Sequence, residues 1–451
     1  MRYVAGRRML VGRPTDMEIQ AAIVLVILFS ITLSLKVPVS FSIITSSLVT
    51  IVMFLTPKFG AFTAAQKLVT GIDSFSLLAV PFFILAGQLM SSGGIARRII
   101  NLAMLFLGRV PGSLALTNIA GNALFGSLSG SGIAAATAIG GVLDPMEKEQ
   151  GYDRGFSAAT NIASAPVGQL IPPTNAPIVY SAAAGGTSVA TLLMAGWIPG
   201  ILWAALCMAV AFIYAKKHGY VVSSAKRAGF REAARIILDA IPSLFLIVII
   251  IGGILSGYFT PTEASGVAVV YAFILSVFVY KSIPLRDIKK VFVSAGIMTT
   301  IIMLIIGASS VLSFVLSFTG LPQAISGLLL GFSTNRIVIL LLINIILLVV
   351  GTFMDMAPAL MIFTPILLPV AKSVGMDAVQ FGVMMIMNLA IGTVTPPVGS
   401  VLFVGCSIAS LKIEDVFRKL VPYFAAIIAA LLFVTFVPAA SGWLPSALGM
   451  M

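Results

Sequence analysis

The chain has 451 residues, of which 59% are apolar and 9% are charged. A typical soluble domain has about 45–50% apolar and about 25% charged residues, so a water-soluble globular domain is excluded. The mean hydropathy is +1.12, and several uncharged apolar runs approach the roughly 20 residues that cross a bilayer. These values predict an all-α polytopic membrane protein, because the alternating pattern of an outer-membrane β-barrel is absent.

The charges and the reactive side chains exclude several other classes of function. The 27 Lys and Arg against 15 Asp and Glu give a net charge of +12, but the basic residues lie between apolar runs, which indicates membrane topology rather than nucleic-acid binding. Cys207 and Cys406 lie inside apolar runs and predict neither a disulfide framework nor a thiolate metal site. His218 is the one histidine, and neither HExxH nor a phosphate-binding loop occurs, so ATP hydrolysis by that route is excluded.

The first half of the chain predicts membrane spans followed by two interrupted segments. The segments, in chain order, are spans at 19–35, 38–56 and 75–92, an interfacial helix over Ile95–Leu107, a re-entrant hairpin at 113–145, a broken run at 156–184 and a span at 188–214. The hairpin carries GSLSGSG at its middle, and the broken run carries PVGQLIPPTN. Such breaks are tolerated at membrane depth only where they are buried in protein or line a water-filled cavity.

The middle of the chain sets the topology. The basic segment 215–235 predicts a cytoplasmic loop, and spans at 240–258 and 264–280 return the chain to a second basic segment beginning at Lys281. Between these spans lies Thr260-Pro261-Thr262-Glu263, which we interpret as a helix capping box rather than an acidic site.

The second half repeats the first. It predicts a span at 293–318, a break at Gly320-Leu-Pro322, a second hairpin at 336–371 interrupted within GTFMDMAP, a run at 378–411 broken at GTVTPP, and a last span at 421–438. Gly168 and Gly392 lie 224 positions apart, as do the two Pro-Pro pairs, and the hairpin glycines Gly126 and Gly351 lie 225 apart. The chain therefore contains an internal duplication.

With five crossings in each half, the two repeats are inverted in the membrane. Inverted repeats with paired discontinuous helices predict a secondary transporter with its site at the midplane. The predicted division is an N-terminal extension at 1–16, scaffold helices at 17–92 and 236–318, interfacial arms at 93–109 and 319–334, transport-domain segments at 110–214 and 335–440, the loop at 215–235 and a C-terminal tail at 441–451.

The N-terminal extension conflicts with this topology, since the count places its four arginines outside. Four explanations stay open: a segment that is not native to the protein, an upstream start, an arm that contacts a partner, or a different topology.

The breaks predict two sodium sites. A helix that stops inside the membrane leaves backbone carbonyls without partners, and Pro-Pro keeps the segment open. Desolvated sodium requires several oxygen ligands, which glycine-rich tips facing unwound segments supply. The predicted ligand residues are Gly126, Ser129, Gly168, Ile171 and Pro173 for one site, and Gly351, Gly392, Thr395 and Val398 for the other.

The half-helices after each tip, starting near Gly132 and Pro358, point their positive ends into the space between them and favour an anionic substrate. The predicted substrate-binding residues are Ser131, Thr174, Asn175, Asp355 and Ser400. Asp355 has three alternative roles, namely binding a cation, binding a substrate hydroxyl, or capping the half-helix.

These motifs resemble the large membrane subunit of the tripartite ATP-independent periplasmic (TRAP) transporters, in the ion transporter superfamily. The resemblance is carried by FGSLSGSGIAAATAIG, LIPPTNAPIVY with AGWIPG, GYFTPTEASGVA, GTFMDMAPALMIFTPILLPVA and NLAIGTVTPPVGSVLFV, and extends from about Met17 to about Pro438. Gly132 departs from the pattern, because many members carry a serine there.

The resemblance implies a sodium-driven elevator importer, without ATP, in the bacterial inner membrane. It implies two or more sodium ions, a small four-helix membrane subunit, a soluble periplasmic substrate-binding protein, and an organic acid substrate such as a C4-dicarboxylate, a sialic acid or a sugar acid. The other partner is membrane lipid, and no nucleic acid is expected.

Three alternatives remain at this point: a standalone divalent-anion/sodium symporter, which would act without partners, a channel, and an intramembrane enzyme. The spans contain no paired-aspartate, HExxH or Ser/His arrangement, so we expect a transporter and not an enzyme.

Overall fold

The computed structural model describes residues 16–54, 57–220, 229–333 and 335–451, which form helices and turns without a strand. The N-terminal extension lies outside the described residues except for Asp16, and so does the part of the basic loop at 221–228.

The first half folds into eleven described helices, several of them short. They are α1 (Asp16–Ser34), α2 (Val39–Phe54), α3 (Pro57–Thr70), α4 (Ala79–Ser92), α5 (Ile95–Leu107), α6 (Ser113–Ser129), α7 (Gly132–Glu149), α8 (Arg154–Ser164), α9 (Ala176–Ala183), α10 (Val189–Ala195) and α11 (Trp197–Lys217). Short 3₁₀ turns at Phe75–Leu78 and Ala165–Gln169 precede α4 and follow α8.

The second half repeats this order. Its described helices are α12 (Phe230–Leu255), α13 (Pro261–Ile274), α14 (Leu285–Thr319), α15 (Leu321–Phe332), α16 (Arg336–Phe353), α17 (Met356–Ser373), α18 (Ala378–Gly392), α19 (Ser400–Ala409), α20 (Ile413–Phe436) and α21 (Ala439–Ala447). A π-helical turn, Leu275–Val279, extends α13. The 35-residue α14 occupies the place that α3 and α4 share in the first repeat.

Several elements differ from the sequence analysis. The helix α3 was not predicted, because Lys58, Gln66 and Lys67 interrupt its apolar pattern. The predicted span 188–214 consists of α10 and α11, which meet at Gly196 and together form one candidate span, Val189–Lys217. The helices α12, α14 and α20 begin before the predicted starts, and the tail contains α21, which packs on α10, α11 and α18.

The capping-box interpretation of the segment before α13 is confirmed. The Thr260 backbone N–H donates to the Glu263 carboxylate at 2.8 Å, and the Glu263 N–H donates to the Thr260 hydroxyl at 3.3 Å. Glu263 therefore satisfies backbone groups at the start of a helix.

The two repeats interlock. Among the helices predicted to form the scaffold, α13 packs on α4 and α14 packs on α2, so each contact joins one repeat to the other. Among those predicted to form the transport domain, α20 packs on α8 and α11 across the repeats, while α6 packs on the Ala165–Gln169 turn and α16 packs on α18 within them. Within the described residues, eight helical segments are long and apolar enough to cross a membrane, as a multi-pass membrane protein requires.

Candidate functional site

The tip of the first hairpin is a tight reversal between α6 and α7. Gly130 closes α6 with a φ of +66°, a left-handed conformation that favours glycine. Ser131 is extended and caps α7, its hydroxyl accepting a hydrogen bond from the Ala134 N–H at 3.3 Å. The positive end of α7 therefore begins at the tip of the hairpin.

The tip of the second hairpin is built differently. The helix α16 ends at Phe353, and Met354 and Asp355 are both extended before α17 begins. Asp355 occupies the N-cap position, yet its side chain makes no capping hydrogen bond with α17. Its carboxylate is exposed and interacts with the Ser400 side chain.

Each hairpin faces a broken helix. The helix α8 gives way to the Ala165–Gln169 turn before α9 begins, and α18 stops at Gly392 before α19 begins. The Pro172–Pro173 and Pro396–Pro397 peptide bonds are both cis. The two breaks therefore share sequence spacing and backbone geometry.

In each repeat, a glycine of the hairpin touches a glycine of the facing break. A Cβ on Gly168 would lie 2.2 Å from the Gly126 carbonyl carbon, and a Cβ on Gly392 would lie 2.3 Å from the Gly351 carbonyl carbon. Real Cβ atoms essentially never approach other atoms so closely. Glycine is therefore required at these two contacts, which bring together residues predicted to share each sodium site.

The other predicted sodium ligands surround these contacts. In the first repeat Ser129 is half-buried, while Ile171 and Pro173 are buried beside the break. In the second repeat the Thr395 hydroxyl donates to the Ile391 carbonyl at 2.7 Å, which leaves its oxygen lone pairs free to accept. Val398 is exposed, and the following Gly399 N–H donates to the Thr352 carbonyl of the hairpin at 3.2 Å.

A cavity of about 310 Å³ lies between the two hairpin tips, the two breaks and α14. Four of the five predicted substrate residues line it, namely Ser131, Asn175, Asp355 and Ser400. Thr174 is 1% exposed and is not among the lining residues. On the scaffold side α14 contributes an apolar wall of Met298, Ile301, Ile302 and Ile305.

Two further polar side chains line the cavity and were missed from the sequence, Gln169 and Thr393. The Gln169 side-chain oxygen has no hydrogen-bond partner in the described part of the chain. The sequence contained a signal for this residue, because Gln169 is the one amide side chain inside the break PVGQLIPP. Among the described residues that line the cavity none is Lys, Arg or His, and Asp355 is the one charged side chain.

Comparisons with known proteins agree with this architecture. The family model described as "Tripartite ATP-independent periplasmic transporter, DctM component" matches residues 25–440. An uncharacterised protein of Salmonella typhimurium, YgiK, is 47% identical over 418 residues, which cover 93% of this chain and 95% of that protein. The "C4-dicarboxylate TRAP transporter large permease protein DctM" of Rhodobacter capsulatus is 38% identical over 86% of this chain and 91% of its own.

Among solved structures, the YdaH transporter of Alcanivorax borkumensis superposes with a TM-score of 0.57 at 12% identity, over 85% of this chain and 90% of that one. This likeness concerns the fold alone. The family match and the Rhodobacter relative are described as transporters rather than enzymes, and both span nearly the whole described fold. The chain therefore belongs to the DctM component family of the tripartite ATP-independent periplasmic transporters.

Proposed function

We propose that this chain is the large subunit of a sodium-driven importer for a small organic acid, which moves its transport half against its scaffold half as an elevator. The observation that carries the proposal is the duplicated glycine contact, Gly126 with Gly168 and Gly351 with Gly392, on two sides of one cavity. Two equivalent carbonyl-rich sites next to a single substrate cavity are the arrangement that ion coupling needs.

The cavity supports an anionic substrate. The starts of α7 and α17 direct two positive helix ends at it, and a bound cation on either side would add charge. Asp355 would repel a second carboxylate unless a cation lay between them, and it would accept a hydrogen bond from a substrate hydroxyl. The name of the Rhodobacter relative supports an organic acid as the substrate class.

The apolar wall supports movement between the two halves. The α14 side chains that face the cavity are aliphatic or thioether groups, which make no directional bonds with the polar transport half. A surface of this kind allows the hairpins to slide past α14 without breaking hydrogen bonds.

The family description supports the remaining components. A tripartite transporter requires a small membrane subunit and a periplasmic protein that delivers the substrate, and we place the complex in the bacterial inner membrane. An organic acid would reach the cavity only after transfer from the periplasmic protein.

The first test needs no substrate. Thermal unfolding of the detergent-purified chain is measured in NaCl, KCl and choline chloride at equal ionic strength. A ligand that binds only the folded state at a hundredfold excess over its Kd adds about 2.7 kcal/mol. We expect sodium to raise the unfolding temperature of the natural protein and Thr395→Leu to reduce that rise.

The matched control is Thr137→Leu. Thr137 donates to the carbonyl four residues earlier, as Thr395 does, but it is exposed on α7 away from the cavity. We expect Thr137→Leu to keep the full sodium effect. Equal unfolding temperatures in all three salts would count against sodium binding by this chain in the absence of its partner proteins.

The second test is uptake of radiolabelled C4-dicarboxylates and sugar acids into proteoliposomes under a sodium gradient, with and without the two partner proteins. We expect uptake only with both partners. Uptake by the chain alone would favour the standalone symporter.

A further inference from the structure

A second polar chamber lies at the base of the first hairpin, away from the cavity between the tips. Its volume is about 10 Å³, which is room for about one water molecule. Its polar lining comes from Asn118 of α6, Asp144 and Glu147 of α7, and Ser157 and Asn161 of α8. The helix α19 closes it with Gly405, Ile408 and Ala409.

This region concentrates buried polar atoms that lack hydrogen-bond partners. In the described part of the chain, twelve buried side-chain polar atoms have none, and eight of them belong to residues 113–157. Three of these atoms belong to the chamber: Glu147 Oε1, Asn118 Nδ2 and Ser157 Oγ. Glu147 is 1% exposed, and a carboxylate at such a position is costly unless something neutralises it.

The surroundings do not suit a metal cation. The Asn118 side chain turns its NH₂ group towards the chamber because its oxygen accepts a hydrogen bond from Asn122 at 2.8 Å. Asp144 and Glu147 are the two carboxylates of the chamber, and no group of three or more His, Cys, Asp or Glu that could hold a metal ion occurs among the described residues. The Arg154 guanidinium also lies at this base, where it donates to the Ala409 carbonyl.

We propose that Glu147 is a proton-binding site, whose carboxyl holds a proton inside the chamber between the base of the first hairpin and α8. A proton removes the buried charge without requiring further ligands. The protonated carboxyl can donate to Ser157 and accept from Asn118, so it satisfies both neighbours.

The ionisable groups around Glu147 are few. Asp144 lies on its own helix, Tyr152 in the following turn, and Tyr423 on α20. The Arg154 charge acts mainly on Asp144. Glu147 lies outside the eight candidate spans, and burial raises its pKa to about 8, with Ser157 and Asn118 lowering the pKa and Asp144 raising it.

A series of hydrogen bonds leads from the chamber to the start of the first break. Asn122, which bonds to Asn118, also donates to Asn161 Oδ1 at 3.1 Å and to Ser164 Oγ at 2.9 Å. Ser164 directly precedes the Ala165–Gln169 turn, in which Gly168 touches Gly126. Loss of the proton from Glu147 would place a negative charge at one end of this series of hydrogen bonds, so pH would act on the packing of the first hairpin.

The test uses the full-length detergent-purified protein in choline chloride, so that it does not depend on sodium binding. Infrared difference spectra between about pH 6 and about pH 9 are expected to show the loss of a protonated carboxyl band across the raised pKa. We expect the band to be absent in Glu147→Gln and present in Glu149→Gln, the matched substitution at an exposed position on the same helix. Absence of the band from the natural protein, or its persistence in Glu147→Gln, would overturn the proposal.

Thermal unfolding supplies a second measurement. The folded state holds the proton more tightly than the unfolded state, so the contribution of Glu147 to stability is full below the unfolded pKa and is lost as the pH rises through the folded pKa. We expect this fall in the natural protein and in Glu149→Gln but not in Glu147→Gln. Ser157→Ala removes a neighbour that lowers the pKa, so the fall should move to higher pH, and an unmoved profile would contradict the proposal even if Glu147→Gln failed to fold.

Discussion

The backbones of Gly351 and Gly392 are in direct contact, one from the second hairpin and the other from the end of α18. A Cβ on Gly392 would lie 2.3 Å from the Gly351 carbonyl carbon and 2.7 Å from its oxygen. A Cβ on Gly351 would meet Gly392 Cα and the Leu389 carbonyl, each at 3.1 Å. The Gly392 side of the contact is therefore the less tolerant of a side chain.

The first prediction concerns Gly392→Ala. Both partners are backbone atoms that cannot rotate away, so the hairpin must move and the substitution is expected to cost about 1–3 kcal/mol. It should also reduce the sodium-specific rise in unfolding temperature, because the displaced Gly351 carbonyl is a predicted ligand. Thermal unfolding in NaCl and KCl measures both effects.

Gly141→Ala is the matched control for this prediction. Gly141 lies inside α7 with no atom within 4 Å of its would-be Cβ, and alanine is favoured over glycine there by about 0.5–1 kcal/mol. We expect a stable protein with the full sodium effect. A Gly392→Ala protein that matched Gly141→Ala in both measurements would show that the contact is not needed.

The second prediction separates two acids at helix starts. Asp377 caps α18, accepting hydrogen bonds from the Val379 N–H at 2.7 Å and the Gln380 N–H at 3.4 Å, whereas Asp355 makes no capping hydrogen bond and faces the cavity. We expect Asp377→Ala to cost about 1 kcal/mol of stability. Asp355→Asn should leave stability nearly unchanged and abolish uptake.

Unfolding temperatures and proteoliposome uptake are measured on the same preparations. Normal uptake by Asp355→Asn would remove its predicted role in cation or substrate binding. A loss of stability in Asp355→Ala as large as that in Asp377→Ala would restore the capping role, since Asn can still cap a helix and Ala cannot.

The duplication made much of the site predictable from the sequence. Gly168 and Gly392 repeat at the spacing of the Pro-Pro pairs, and a feature that occurs twice at one spacing is hard to attribute to helix packing alone. The structure places these glycines against the hairpin glycines Gly126 and Gly351. The lengths of the helical breaks also followed from Gly and Pro, which interrupt helices locally.

Features without a repeated signal were not predictable. Gln169 and Thr393 are an exception, since they lie 224 positions apart, the spacing of Gly168 and Gly392, and both line the cavity. Thr174 is adjacent to Asn175 in sequence, but the turn before α9 directs only Asn175 to the cavity. Burial of Glu147 depends on α6, α8 and α19 meeting at the base of α7, which no local pattern encodes.

The third prediction concerns the buried amide of Asn122. Its NH₂ group donates to Asn118, Asn161 and Ser164, and the side chain is 0% exposed. Asn122→Leu would leave those acceptors without this donor. Each buried group left unsatisfied is expected to lower the free energy of unfolding by about 1–3 kcal/mol. Asn101, which is exposed on α5, provides the control, and Asn101→Leu should change stability by no more than about 0.5 kcal/mol. Equal unfolding temperatures for the two variants would contradict the role of this network.

The last prediction concerns the ion pair between Asp153 and Lys419, 3.0 Å apart, which joins the start of α8 to α20. Burial raises the pKa of Asp153, but hydrogen bonds from the Phe156 N–H and from Lys419 outweigh it, and the net effect lowers the pKa. A lowered pKa contributes stability above the unfolded value, which is lost as the pH falls through the folded value. Lys419→Met removes part of the lowering, so the acid-induced loss should end at higher pH and be smaller than in the natural protein. Both side chains are partly exposed, so the effect on the free energy of unfolding should not exceed about 1 kcal/mol.

Thermal unfolding between about pH 7 and about pH 3 spans the range in which carboxyl groups titrate, and Lys58→Met, at an exposed position, is the control. Coincident acid profiles for Lys419→Met and Lys58→Met would show that Lys419 does not hold the Asp153 carboxylate in its charged form.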